Sequence, residues 1–171
     1  QARFNMGPTY YRVNLMPGTL LGRYDSRVTA PDFSFNGEVD PSSNLIGNSF
    51  GFRIGQHLAA LGYTTPSTYV LLSNAIQTWN FSHDGSPLPD TIPDLAAALA
   101  QNPAMKVLAV NGFHDLATPF HTTELDLARL GAHPNVQVRN YMGGHMTYLH
   151  DASRVAMKAD LAASYGSALA D

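Results

Sequence analysis

The sequence predicts an α/β fold with a parallel sheet, and the observations behind this prediction lie in its C-terminal part. Apolar runs at residues 105–110 and 135–141 have the length of strands, and segments with helical spacing follow them at 118–131 and 151–169. A strand–helix–strand–helix order predicts parallel strands with helices packed over the sheet. The length of 171 residues and the apolar fraction of 44% predict one folded chain with a sizeable core.

The two predicted strands differ in their apolar pattern. Residues 105–110, MKVLAV, form a nearly continuous apolar run, which predicts a strand buried on both faces, as in a parallel sheet. In residues 135–141, NVQVRNY, two valines alternate with polar residues. This alternation predicts a strand with one wetter face, at or near an edge of the sheet.

The two helices of this part have their own signals. Thr118 is an N-cap candidate, Pro119 suits the first helical position, and Gly131 follows the end of the segment. The last helix is predicted from an apolar stripe. The residues of that stripe are Ala152, Val155, Ala159, Ala162 and Leu169.

Residues 1–100 are irregular and rich in Gly, Pro, Ser, Asp and Asn, which are turn and loop signals. Helical spacing and proline positions predict three helices, at about 41–61, 66–77 and 93–101. We therefore divide the chain into a helical, loop-rich region before residue 101 and a strand–helix–strand–helix unit over 101–171.

Composition excludes several classes of partner and site. The net charge is −3 with no Lys/Arg run, so we expect neither nucleic acid nor an acidic membrane surface as a partner. No apolar run reaches the length of a membrane span. The chain has no cysteine, and His145 and His150 lack the spacing and the Glu of a zinc-protease helix, so we expect no metal. No glycine-rich phosphate loop follows a strand, and we expect no cofactor.

An acid and a histidine follow the two predicted strands. Asp115 comes after the first strand, and His145, preceded by Gly143 and Gly144, comes after the second. Carboxyl ends of parallel strands share one edge and neighbouring strands lie roughly 5 Å apart, so a hydrogen bond between the two side chains is reasonable. A carboxylate at Nδ1 would fix the tautomer of a general base. By spacing alone, a turn role for Asp115 and a surface role for His145 are equally open.

These segments resemble the C-terminal end of the serine carboxypeptidase family in its bacterial form. In that family one strand ends in Gly-x-x-Asp-x-x-Thr-Pro, the next in Tyr-x-x-Gly-His-Met, and a final helix carries Lys-x-Asp-Leu. The matching residues are Gly112, Asp115, Thr118, Pro119, Tyr141, Gly144, His145, Met146, Lys158, Asp160 and Leu161. Upstream, LLGRYDSR (20–27) and Trp79 also resemble bacterial members.

The resemblance implies the C-terminal portion of an α/β-hydrolase fold, with its last parallel strands and helices and part of a helical insertion that shapes the substrate cleft. It implies hydrolysis of the C-terminal peptide bond of a peptide substrate by serine acyl transfer. Asp115 would orient His145, the general base, and Met146 and Gly144 would lie at the substrate. We expect no cofactor or metal and a secreted or periplasmic location.

The nucleophile of that family is missing from its expected context. Ser49 has glycines two residues before and after it, but no strand precedes it as a nucleophile elbow requires. The chain begins at Gln1 without an initiator Met, which indicates processing or trimming. Since some members of that family are cut into two chains that stay associated, we expect the serine and the oxyanion hole on a missing or separate N-terminal chain of the same precursor. The alternatives are Ser49 as nucleophile, an esterase or acyltransferase on the same scaffold, and a non-catalytic binding chain.

Overall fold

The computed structural model describes residues 8–32, 40–71 and 73–168. The elements of this part are, in chain order, α1 (Pro8–Asn14), β1 (Thr19–Leu21), β2 (Thr29–Pro31), α2 (Pro41–Ala60), a 3-10 helix (Asn74–Thr78), α3 (Ile92–Gln101), β3 (Val107–Gly112), α4 (Phe120–Ala128), β4 (Val136–Tyr141), a second 3-10 helix (Thr147–Leu149) and α5 (Asp151–Ala168). The described residues therefore form a mixed α/β fold with five α-helices and two small sheets.

Strands β3 and β4 form the predicted parallel pair. Val107 lies opposite Val136 at one end of the ladder, and Gly112 lies opposite Tyr141 at the other. Parallel strands need a crossover connection, and α4 supplies it here. Strands β1 and β2 form a separate antiparallel pair. The carboxyl ends of β3 and β4 consequently meet at one edge of their sheet.

The prediction that the first of these strands is buried on both faces is wrong for the described part of the chain. Five of the six residues of β3 are half-buried, and only Gly112 is buried. Among the described residues β4 is the one strand beside β3, so the opposite edge of β3 has no ladder partner there. In β4, half-buried and exposed residues alternate as predicted, up to the buried Tyr141.

Helix α2 confirms the helix predicted over 41–61. The side chain of Asp40 accepts a hydrogen bond from the backbone N–H of Ser42 at 3.0 Å, which caps the helix, and a proline stands at the first position. Gly62 follows the end with φ of +68°, a left-handed conformation that favours glycine. Ile46 is buried, but most of the helix surface is exposed or half-buried.

The helix predicted over 66–77 is wrong. Bends and irregular chain occupy residues 66–71, and a short 3-10 helix (Asn74–Thr78) covers the end of the range. The backbone N–H of Ser67 donates to Thr65 Oγ1 at 3.1 Å, and that of Ala75 donates to Ser73 Oγ at 3.2 Å. Such local side-chain acceptors offer the backbone an alternative to helical hydrogen bonds.

The next two helices form where they are predicted, with one correction. Helix α3 confirms the prediction over 93–101 and begins one residue earlier. Thr118 is not the N-cap of α4. Pro119 lies at the cap rather than at the first helical position, and Thr118 Oγ1 donates to Asp115 instead. Gly131 follows α4 with φ of +70°.

Helix α5 forms as predicted, but the predicted apolar stripe is not its packed face. Val155 is 68% exposed, and the three alanines of the stripe are exposed as well; Leu169 lies outside the described residues. The packed side of α5 carries polar side chains that bind the end of β4. Tyr141 donates its hydroxyl hydrogen to Asp160 at 2.5 Å, and Ser153 donates to the Met142 carbonyl. These polar bonds join the helix to the end of β4.

The buried apolar side chains make a small core: Leu20, Leu21, Ile46, Leu99 and Tyr141. A run of large side chains between α2 and α3 is exposed instead: Leu61, Tyr63, Tyr69, Val70, Trp79, Phe81 and Leu88. Among the described helices, none combines the length and the apolar character needed to cross a membrane.

Candidate active site

Asp115 lies in the turn that follows β3, and its side chain is buried. The residue is 5% exposed. Its Oδ1 accepts hydrogen bonds from the backbone N–H groups of Ala117 at 2.7 Å and Thr118 at 3.1 Å, and its Oδ2 accepts one from Thr118 Oγ1 at 2.6 Å. All of these partners are donors, which is the environment that an ionised carboxylate requires. The turn therefore holds the carboxylate in one orientation independently of its contact with a histidine.

His145 lies in the loop after β4 and reaches this carboxylate. Its Nδ1 lies 2.8 Å from Asp115 Oδ2, and the expected hydrogen bond is present. Thr118 Oγ1 lies 3.2 Å from the same nitrogen. Because a carboxylate only accepts, Nδ1 carries a proton, and in the neutral imidazole the lone pair is then on Nε2. Nε2 has no hydrogen-bond partner among the described residues, and the side chain is 41% exposed.

Gly112 lets the two loops approach each other. A Cβ on Gly112, the last residue of β3, would lie 2.1 Å from the Gly144 carbonyl oxygen and 2.7 Å from that of Gly143. The backbone N–H of His114 also donates to the Gly143 carbonyl at 2.9 Å. Any side chain at the end of β3 would therefore separate the acid loop from the histidine loop.

Burial distinguishes this pair from other histidine–carboxylate pairs of the described chain. The other hydrogen-bonded pairs are His121–Glu124 at 3.0 Å and His83–Asp94 at 2.8 Å. The Asp115 side chain is 4% exposed, whereas the carboxylate side chains of the other two pairs are 36% and 55% exposed. Water and salt weaken exposed pairs, and a buried acceptor keeps its strength and direction. Of these described pairs, only the one with the buried acid combines a fixed carboxylate with an accessible imidazole.

The two residues expected at the substrate lie beside the histidine. Gly144 is buried, and a Cβ there would lie 2.1 Å from the Tyr24 carbonyl oxygen. Met146 is half-buried and lines a cavity of about 10 Å³ together with Leu45 and Leu149. A space of that size holds at most one water molecule. Gly144 thus permits a close backbone contact. The expected contact of Gly144 and Met146 with the substrate stays a prediction.

The sequence prediction missed two residues of this site. Thr118 was expected to cap α4, yet its hydroxyl bridges Asp115 and His145. Tyr24 accepts the backbone hydrogen bond of His145 at 2.7 Å, and the centroids of the two rings lie 5.5 Å apart. A threonine three residues after the acid is a local signal that could have indicated the first contact. No local signal indicates the contact of Tyr24 with His145, because these residues are far apart in the chain.

Ser49 and Ser153 both lack the setting of a catalytic nucleophile. Ser49 lies in the middle of α2, so the strand–turn–helix of a nucleophile elbow is absent around it. Ser153 Oγ lies 2.9 Å from His150 Nδ1, but the hydroxyl is buried and donates to the Met142 carbonyl. This serine–histidine pair closes the turn before α5, and the serine hydroxyl donates to a backbone carbonyl instead of being free to react.

Among the residues that the structure describes, one group of side chains has a geometry that could hold a cation. His83, Asp84 and Asp94 place one ligand atom each within 4.8 Å of one another. The hydrogen bond to Asp94 is the main cause that raises the pKa of His83 above 6.5, and the charges of Asp94, Asp84 and Asp90 add to it. The two carboxylates of this group are exposed, and no further feature of the described residues points to a ligand there.

Comparisons with known proteins add no relative. No family model, curated protein or solved structure matches the chain.

Proposed function

We propose that this chain is the C-terminal part of a serine carboxypeptidase, in which Asp115 and His145 are two members of a Ser-His-Asp triad. The observation that carries the proposal is the hydrogen bond from Nδ1 of an accessible histidine to a buried carboxylate at 2.8 Å. Histidine Nε2 would take the proton of the serine during attack on the scissile carbonyl and return it to the leaving amine. The buried carboxylate would stabilise the imidazolium that forms between these steps.

The serine and the oxyanion hole would come from an N-terminal chain of the same precursor. Two features of the described residues support an additional partner. The free edge of β3 offers backbone hydrogen bonds to a further strand. The exposed apolar run between α2 and α3 offers side chains such as Trp79, 68% exposed, and Val70, 65% exposed. A partner at both places would complete the sheet and cover apolar surface.

Probe labelling tests the proposal. The protein is purified from its source under conditions that keep any associated polypeptide bound. A fluorophosphonate reacts with an activated serine and adds a mass that peptide mapping can locate. We expect label on a serine of a co-purifying polypeptide, and no label after His145→Ala. His121→Ala is the matched control, because it removes an exposed histidine with a carboxylate partner at 3.0 Å. This control should label as well as the wild type.

Other labelling results would contradict the proposal. Label on Ser49 would make this chain a hydrolase without a partner, and absence of label on any polypeptide would indicate a non-catalytic chain. The substrate class is tested with an N-blocked dipeptide, its C-terminal amide and its C-terminal ester. A carboxypeptidase should release the last residue of the free acid. Cleavage confined to the ester would indicate esterase chemistry on the same residues.

A further inference from the structure

A short segment of the N-terminal region contacts both loops of the site. We call residues 23–26 the clasp. The backbone N–H of Leu116 donates to the carbonyl of Arg23 at 2.9 Å, and the backbone N–H of Ser26 donates to the carbonyl of His114 at 2.9 Å. The buried acid lies between those two loop residues, so the clasp fixes the chain on both sides of it.

The clasp holds the histidine loop through Tyr24. The backbone N–H of His145 donates to the Tyr24 carbonyl at 2.7 Å. The Tyr24 ring lies beside the imidazole, with centroids 5.5 Å apart and planes inclined by 56°. Between these contacts, Gly144 has no room for a Cβ, because Tyr24 and Asp25 occupy that space. The histidine is therefore restrained through its backbone and beside its ring by the same residue.

The start of α2 anchors the clasp. The backbone N–H of Tyr24 donates to Ser42 Oγ at 3.0 Å, and this hydroxyl donates to Asp40 Oδ1 at 2.6 Å. The backbone N–H of Arg23 also donates to the Asp40 carboxylate, at 3.1 and 3.2 Å. Ser42 is fully buried. Since its anchors are a helix cap and a buried hydroxyl, the clasp is a fixed support rather than a loose surface loop.

We propose that Tyr24 is a positioning residue for His145. The carbonyl of Tyr24 sets the position of the His145 backbone, and its ring limits rotation of the imidazole. The ring contact then keeps Nδ1 on Asp115 and leaves Nε2 directed away from it. Tyr24 has this role only if His145 is the general base of the proposed function, in which a displaced base would slow proton transfer.

Two measurements on the full 171-residue chain test the positioning without any activity. In the wild type, a nuclear Overhauser effect should join ring protons of Tyr24 and His145. In chain labelled with ¹⁵N-histidine, the ring nitrogen shifts of His145 should indicate one tautomer, with hydrogen on Nδ1. Tyr24→Phe, which keeps the ring, should retain that pattern. Tyr24→Leu should give shifts averaged over two tautomers and lose the Nδ1 proton signal.

Tyr148→Leu is the matched control, because Tyr148 is 43% exposed and its ring contacts Phe50. This variant should keep the wild-type shifts. Absence of the wild-type Overhauser effect would overturn the assignment, and this measurement needs no variant to fold. A single Nδ1 tautomer in Tyr24→Leu, or averaged shifts in Tyr148→Leu, would overturn it as well.

Activity then separates positioning from function. In the complex that carries the nucleophile, Tyr24→Leu should lower kcat by about 10- to 100-fold with little change in KM, and Tyr24→Phe should be close to wild type. If probe labelling fails while the tautomer pattern holds, the serine carboxypeptidase proposal is wrong and the contact of Tyr24 stands. An unchanged kcat in Tyr24→Leu would overturn the positioning role.

Discussion

The loops after β3 and β4 differ from residues 64–82 in how they are held. The loops are joined to each other and to the clasp by bonds between residues far apart in the chain, such as Asp115 to His145 and Tyr24 to His145. In the described part of 64–82, the side-chain hydrogen bonds join residues only two or three apart. Large apolar side chains are exposed in that region. The site is thus held within this chain, whereas residues 64–82 have surface left for contacts outside it.

The largest expected effect is a loss of catalytic rate when the acid in the loop after β3 is changed. Asp115→Asn keeps the shape of the side chain but removes its charge and offers a donor to the histidine. In the complex with the nucleophile, kcat should fall by about 10⁴-fold, the loss typical of a triad acid. Asp126→Asn, at an exposed position on α4, is the control. An activity within threefold of wild type would show that the pair is not a triad.

Close packing of the loops is tested by Gly112→Ala. The added Cβ would lie 2.1 Å from a backbone oxygen that cannot yield without moving the histidine loop. We expect the free energy of unfolding to fall by about 2–3 kcal/mol, as in other overpacked sites, measured by urea denaturation.

Gly51→Ala is the matched variant, since it lies on exposed α2 with no atom near its Cβ. Helix propensity predicts about 1 kcal/mol of stabilisation there. Equal destabilisation of both variants would contradict the difference in packing.

The end of β4 gives a test by pH. Burial, followed by the hydrogen bond to Asp160, raises the pKa of Tyr141 from 10.0 to about 12. The folded state favours the neutral phenol, so this stabilisation is fully present below pH 10 and is lost as the pH rises through about 12. Tyr141→Phe should be less stable by about 1–2 kcal/mol at pH 8. Its unfolding free energy should also fall less between pH 10 and 12, and a fall equal to that of the wild type would contradict the assigned pKa.

The smallest change in the stability of this chain is expected for a substitution in residues 64–82. Trp79 is 68% exposed, and Trp79→Ser should change the unfolding free energy of the isolated chain by no more than about 0.5 kcal/mol. If a partner covers this surface, the same change should weaken its binding at least tenfold, as loss of a buried aromatic anchor does. Calorimetric titration with the partner measures this. Unchanged affinity would show that the surface stays exposed in the complex.

The sequence indicates the strand–helix–strand–helix unit well because its signals are local. The apolar run of β3 and the alternation in β4 give the two strands, and the shared edge of parallel strands brings Asp115 to His145. The outcome for 66–77 differs, because hydroxyl side chains compete for backbone hydrogen bonds that apolar spacing ignores. The predicted packed face of α5 is wrong for a related reason, since Tyr141 and Met142 bind polar side chains of the helix that apolar spacing ignores.

Tyr24 lies beyond local prediction. Its contact with His145 joins residues 121 positions apart (145 − 24 = 121), and neither apolar period nor a capping pattern encodes such a contact. The division of the chain before residue 101, the secreted or periplasmic location and membership of the serine carboxypeptidases stay predictions.

The clasp has a consequence for how this fold could be divided or reused. A designer who transplanted β3 through α5 would carry both Asp115 and His145 into the new host. That transplant would lack residues 23–26, which give the two loops their shared backbone support. The part of the chain that must be transferred together is therefore discontinuous. Deletion of residues 23–26 should disable the site although Asp115 and His145 are both still present.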